Sequence, residues 1–324
     1  MTNEKEESKK FESRAYGFVA IKSINSNYNA DFSGQPRTLP NGKVYATDKA
    51  LKYTVRNFLK DMYSNETVFY FKRLNKEMKP LSLDHAYSKV FPEHKDLNVK
   101  EKNNDTKSIV TKDILSCIDI RLFGSTFAKK AKKGNIALSI HGPVQINHGV
   151  NIWDEGNIFS EQITSPFNSN EDSTTNEQTT IGRQSKLEEG HYIHHFSINP
   201  KNLEDIVSNG AEGTQTLTEN DIELLKEGLR KGATYYDSAA KAGTENEILF
   251  YLELKKDSRL VLPNFTEMVK ISDSKENGKR YFDLQKIKEE LKKHSAEIAK
   301  CEIYYNNNIT TIDNLPESCI IKEL

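Results

Sequence analysis

The stretch NADFSGQPRTLPNGKVYATDKALKYTVRNFL, residues 29–59, decides how the chain is read. Its first half is rich in Gly, Pro and Asn, which supply turn geometries and predict a loop. Thr47 or Asp48 then offers a helix-capping oxygen, and Leu51, Val55, Phe58, Leu59 and Met62 recur at helical spacing. This predicts a helix to about Met62 whose apolar stripe packs on a sheet. The sheet's first strand lies just upstream: AYGFVAIKSI, residues 15–24, is a nearly unbroken apolar run, as expected of a mostly buried strand. At about 100° per residue, Lys49, Lys52, Arg56 and Lys60 form a second, basic stripe beside the apolar one. Free N–H groups and the positive dipole end at a helix start attract anions. Arg37 and Lys43 in the loop are placed to close over the same anion.

Composition limits what such a stripe can serve. The chain has 324 residues, 36% hydrophobic and 29% charged, enough for a full core. Its formal net charge of -1 excludes a protein that holds nucleic acid over its whole surface, so a polyanion must meet a local patch. The three cysteines, Cys117, Cys301 and Cys319, are far apart and odd in number. They predict no disulfide and a reducing, cytoplasmic setting. The opening MTNEKEESKK is charged, with no apolar stretch behind it, and residues 1–13 are expected to be disordered. No run reaches the ~18 apolar residues of a membrane span, so no membrane partner is expected.

Strand and helix patterns alternate along the rest. ETVFYFKRL (66–74) reads as a strand, and residues 75–110 as a polar insertion with a short helix near Asp84 to Phe91. TKDILSCID reads as a helix, AKKAKKG (128–134) as an exposed basic link, and NIALSIHGPVQI as a strand. Residues 147–190 form a long segment with a polar centre. HYIHHFSINP reads as a strand; Thr218 with Asp221 opens a helix striped by Ile222, Leu225 and Leu229. EILFYLELKK is another strand, LQKIKEELKKHSAEIAK an amphipathic helix, and CEIYYN the last strand. The pattern predicts an α+β fold with helices on one face of the sheet, the ferredoxin-like arrangement among the possibilities.

Catalytic signatures are sparse. In HYIHH a strand would turn His191 and His195 to one side and His194 to the other, so three metal ligands do not converge there. A pair could still be joined by His141 or His148, but no metal or other cofactor is expected. Cys117 lies among Ile114, Leu115, Ile118 and Ile120, a setting for a small hydrophobe. The chain has no Gly-rich phosphate loop ending in Lys-Ser/Thr and no Gly-x-Ser-x-Gly elbow.

Several segments, in order, resemble the RAMP (repeat-associated mysterious protein) family of CRISPR-associated proteins, and within it the backbone subunit, the Cas-seven group, of a type I-B Cascade complex. They are TDKALKYTVRNFL, DIRLFGSTFA (119–128), GPVQI (142–146), QITSPF (162–167), TTIGRQ (179–184), and GLRKGATYYDSAAKAG before EILFYLEL. The resemblance spans roughly Arg14 to Lys256. It implies an RRM-like palm (14–74, 111–142 and 191–324), a finger-like insertion (75–110) and a β-hairpin thumb (143–190). It also implies a non-catalytic, cytoplasmic scaffold that polymerises head-to-tail along a CRISPR guide RNA, beside other Cascade subunits, and presents the guide to target DNA. Two motifs depart from the family. The first loop has Asn29, Ala30, Asp31 and Phe32 where Asn-Gly-Asp-Pro is usual, and the late Ser-Arg-Ser appears as Ser238, Ala239 and Ala240, with only Lys241 basic.

A subunit that accepts any guide should grip phosphate and ribose and leave base edges free. The expected RNA ligands are Lys49, Lys52 and Arg56, with Arg37, Asn25, Asn27, Arg121 and Arg183 in support. Ile163 and Phe167 are the expected thumb residues that wedge against bases. The alternative is a type III-like backbone subunit in which Asp31, with a divalent ion, cleaves target RNA.

Overall fold

Strand β1 (Ala15–Ser26) forms where its apolar run predicts. Ala15, Val19 and Ile21 enter one apolar core, whereas Tyr16, Phe18 and Ala20 enter another. Burial on both faces is why the run shows no polar alternation. The computed structural model describes residues 9–95, 104–130, 135–164, 180–272 and 280–324.

After β2 (Tyr45–Ala46) comes α1 (Asp48–Met62), capped by Thr47, whose hydroxyl accepts from the Ala50 N–H at 3.3 Å. Leu51, Val55, Phe58 and Leu59 are its buried stripe. Residues 66–74 form no strand, because side chains take the groups a ladder would use. The Asp119 carboxylate accepts from the N–H groups of Phe69 and Tyr70 at 2.7 and 3.0 Å, and Arg73 donates to the Val68 and Phe69 carbonyls.

Three helices follow, α2 (Leu83–Val90), α3 (Asn104–Leu115) and α4 (Ile118–Phe123). Tyr87, Phe91 and Val110 share a core with Val55 and Phe58, so the described part of 75–110 packs onto the main body. Strands β3 (Gly124–Lys130) and β4 (Asn135–His141) pair antiparallel, so part of the expected basic link is strand, and its residues 131–134 lie outside the described residues. Then come β5 (Val144–Ile146), β6 (Gly149–Asn151), β7 (Ile158–Thr164) and the 19-residue β8 (Thr180–Ile198). From Leu187 onward β8 pairs with β1; from Leu187 back to Thr180 it pairs with β7. A β7–β8 ribbon therefore continues past the end of β1.

Beyond α5 (Glu204–Ser208), α6 (Glu219–Tyr235) opens on the expected capping box of Thr218 and Asp221. It lies close against α1. A Cβ on Gly232 would come within 2.9 Å of the Thr54 carbonyl, and one on Gly228 within 2.8 Å of Val55, so both positions require glycine. The chain continues as β9 (Thr244–Leu254), β10 (Lys270–Ile271), β11 (Arg280–Asp283), α7 (Gln285–Lys293), β12 (Ile298–Tyr305), β13 (Thr310–Asp313) and β14 (Ile320–Lys322). The expected last strand is thus followed by two more. The main sheet runs β14-β12-β9-β1-β8-β6-β2, with β5 and β7 also on β8.

Three further expectations need correction. Helices are not confined to one face: Ile287 and Leu291 of α7, with Phe282 of the small β10-β11-β13 sheet, cover Phe18 and Phe250 on the second face. Residues 9–13 are ordered, with Phe11 buried and its N–H donating to the Leu217 carbonyl at 3.0 Å; residues 1–8 lie outside the described part. Cys301 and Cys319 form a disulfide, because β14 returns parallel to β12 and closes the 18-residue separation. The cysteine count therefore does not indicate a reducing compartment. No described helix is long and apolar enough to cross a membrane.

Candidate nucleic-acid interface

The α1 cations are not a free row. Lys49 and Lys52 approach the two oxygens of Asp48 at 3.5 and 3.2 Å, and Lys60 pairs with Asp61. Arg56 donates through Nε to Asp119 at 3.0 Å and lies over the Phe123 ring at 5.1 Å. These pairs differ in kind. Lys49 is 84% exposed and its pair with Asp48 is worth only about 0–1 kcal/mol, so it can turn to a phosphate, whereas Lys52 and Asp48, 13% and 17% exposed, hold each other. Asp119 is 0% exposed and depends on Arg56 for its counter-charge, so Arg56 is a fastener of the fold. Thr47 and Asp48 occupy the helix start that was expected to attract an anion.

The loop before α1 is held at both ends. Asn29 Oδ1 accepts from the Thr47 N–H and hydroxyl at 2.9 and 3.0 Å, joining the loop to the helix. Asn27 Nδ2 donates to the Gly34 and Ser185 carbonyls, both at 3.1 Å, joining it to the ribbon. Gln35 donates to Ser160 Oγ at 3.4 Å, and Ser160 shares a hydrogen bond with Ser185 at 2.8 Å. The turn before β9 completes the group: Gln184 donates to the Ala239 carbonyl at 2.9 Å, and the Asn27 N–H to the Ala240 carbonyl at 2.7 Å. Lys241 donates to the Tyr28 carbonyl, and burial pulls its ammonium down to about 8. Loop, ribbon base and turn thus form one surface.

On this surface Arg37 donates through Nε to the Ala30 carbonyl at 3.1 Å, and its guanidinium lies 6.0 Å from the ring of Phe32. Phe32 is fully exposed, the aromatic that stands where the family motif has Pro. In the sequence this position shows only as a departure from the family motif; the exposure of its ring is what the structure adds. Arg183 is exposed on β8, opposite Gln162 on β7, with no side-chain partner among the described residues. Ile163 is exposed near the described end of β7, and Phe167 lies outside the described residues. Asn25 is exposed with φ +47°, a left-handed conformation that Asn tolerates.

Two expected RNA ligands are buried. Asn27 is the stitch just described. Arg121 binds both oxygens of Asp221, along with Glu66, Gln215 and the carbonyls of Leu115 and Ser116, so its donors face inward. Asp31 accepts from the Ser33 N–H and hydroxyl and the Gln35 N–H at 2.7 to 3.0 Å; these bonds, the Ser33 hydroxyl first, lower its pKa. That is a turn-forming carboxylate, and among the described residues its side chain bonds only within its own loop.

The histidines do not converge. His191 lies between Glu247 at 2.6 Å and Glu189 at 3.2 Å; burial opposes its protonation, but the two carboxylates outweigh burial and raise its pKa. His194 bonds Tyr28 and the Asn147 carbonyl on the other face, and His195 accepts from the Phe265 N–H. Burial lowers both to about 4. Glu93, His94 and Asp113 lie close enough to share an ion, but Asp113 already binds the His94 ring at 2.7 Å and the Tyr87 hydroxyl.

No curated protein matches the chain by sequence. Among solved structures, it is similar to a chain of a "CRISPR RNA-guided surveillance complex, pre-nicking", with TM-score 0.55, 12% identity and 96% of each chain covered. A chain of another "CRISPR RNA-guided surveillance complex" has TM-score 0.45 and 15% identity, covering 93% of this chain and 96% of that one. The first likeness is one of fold. The profile of CRISPR-associated protein Cas7 matches residues 13–291, most of the chain, and the protein therefore belongs to the Cas7 family.

Proposed function

We propose that this chain is a non-catalytic backbone subunit of a type I CRISPR surveillance complex, of subtype I-B, and that it holds the guide RNA. The observation that carries the reading is the joined surface of loop, ribbon base and α1 start within a Cas7-family fold. In this reading the sheet with α1 and α6 is an RRM-like palm, and the β7–β8 ribbon is the thumb, with Ile163 and Phe167 wedging against bases. Copies stack head-to-tail along the guide, meet other subunits of the complex, and leave base edges open to target DNA. Arg37, Lys49 and Arg183 contact phosphate, while Lys52 stays paired with Asp48 at the helix start. Phe32 stacks on a base without regard to its identity, as exposed aromatics do in single-strand binders.

The test is guide binding across a salt series. Each single-strand phosphate contact contributes about 0.7 to the slope of log affinity against log salt. Arg37→Gln/Lys49→Gln/Arg183→Gln is expected to flatten that slope by roughly 2 and weaken binding of all guides alike. An unchanged slope would sink the assignment.

A further inference from the structure

At the far end of the central strands from the loop and ribbon lies a cavity of about 380 Å³. The register fixes its place. Ala15, at the start of β1, pairs with Ile198 and Glu253, which brings Arg14, Asn199 and Lys255 together at the rim. At about 3.3 Å per residue, the length of β1 puts this cavity roughly 36 Å from the guide-facing loop.

Its charges are arranged unlike those of α1. Arg14, Lys201, Lys255 and Arg259 line the cavity, and their side chains have no hydrogen-bonding or carboxylate partner among the described residues. Of the two carboxylates in the lining, Glu12 is taken by Lys256 at 2.6 Å, which leaves Asp257 alone against four cations. Two buried polar atoms are also unpartnered, the donor Arg14 Nε and the acceptor Asn199 Oδ1. The Arg14 guanidinium rests 5.3 Å from the centre of the Tyr16 ring. Like charges gathered in a concave site focus a field that draws in an anion. The unfilled acceptor beside them calls for a ligand that also carries a hydroxyl.

We propose that this cavity binds a phosphorylated sugar. The four cations hold the phosphate, and a sugar hydroxyl donates to Asn199 Oδ1. No aromatic lines the cavity among the described residues, so a base has nothing to stack on and goes unread. The phosphate ester has two possible sources, a free sugar phosphate or the backbone of a nucleic-acid strand passing the far end of the subunit.

Calorimetric titration of the full chain with ribose 5-phosphate, inorganic phosphate and a short single-stranded RNA tests this. Lys201→Gln/Lys255→Gln/Arg259→Gln changes three exposed side chains, and it is expected to weaken ribose 5-phosphate binding by at least about tenfold. The single variants Lys201→Gln and Arg259→Gln give a graded loss if the triple variant folds poorly. RNA affinity is read in the Arg37→Gln/Lys49→Gln/Arg183→Gln background, so that the guide surface does not mask the cavity: a parallel fall there supports the strand as source, and loss of ribose 5-phosphate with RNA unchanged supports the free ester. The proposal is overturned if the wild type fails to bind ribose 5-phosphate or if the variants bind it equally well. It is also overturned if inorganic phosphate binds as tightly, since the hydroxyl contact would then be absent.

Discussion

Replacing Arg56 by Met keeps the bulk of the stem and removes one charge from beside a buried carboxylate. Asp119 accepts from Arg56 Nε at 3.0 Å and from the Phe69 and Tyr70 N–H groups at 2.7 and 3.0 Å. Removing one partner of a buried pair costs about 3–5 kcal/mol when the other charge is left bare. Here two backbone donors remain, and Arg56 is 14% exposed, so the expected loss is about 2–3 kcal/mol. The guanidinium's place over Phe123 adds about 0.5 kcal/mol. At roughly 2–4 °C per kcal/mol for chains of this order of size, thermal unfolding should show a midpoint lower by roughly 5–10 °C. Adding Asp119→Asn should recover at least about 1 kcal/mol, because no unpaired charge then remains. Guide affinity measured well below the midpoint should hardly change. A midpoint within about 1 °C of wild type, together with a large loss of guide affinity, would refute the reasoning and return Arg56 to the RNA-binding surface.

Acid should destabilise the fold through His194 and His195. Both bind fewer protons folded than unfolded between about pH 6.5 and 4, so stability falls as pH drops through that window, by up to about 3 kcal/mol per histidine. His191 acts oppositely: its stabilisation is full below its unfolded value and is lost as pH rises through its folded one, so His191→Gln should cost most in mild acid. Melting curves of the wild type and His191→Gln between about pH 7 and 5 check both signs, and a flat profile in the variant, where the opposing group is gone, contradicts the burial argument. An assembled complex given complementary RNA and Mg²⁺ should leave it uncut; cleavage that disappears in Asp31→Ala would revive the type III-like reading. Thiol titration of denatured, unreduced protein should find Cys117 alone reactive; three reactive thiols would count against the Cys301–Cys319 bond.

Local signals carried most of the scaffold. The capping oxygens of Thr47 and Thr218, the apolar spacing of both helices and the uninterrupted run of β1 each depend on neighbours in sequence, and each forms as expected. Expectations failed where a distant partner decides. ETVFYFKRL has strand composition, but Asp119, about fifty residues away, takes its N–H groups. Cys301 and Cys319 pair only because a terminal strand returns beside β12. The candidate interface was half legible for the same reason. Spacing reveals that Lys49, Lys52 and Arg56 share a stripe, but not that Asp119 holds Arg56 and Asp48 holds Lys52, leaving Lys49 able to turn outward. Burial of Asn27 follows from its bonds to Gly34 and to the distant Ser185.

The amide of Asn27 carries a consequence for how a nucleic-acid strand would be met. Because it ties the entry loop to the ribbon, the two cannot move independently, and a strand laid across them finds a mould already set. A loose loop would have to be ordered at each encounter, at about 1–2 kcal/mol per residue. Here the bonds of Asn27, Asn29 and Gln35 set part of that order in advance. In a filament of identical copies every mould would be the same, so unevenness along a bound strand would originate in the strand itself.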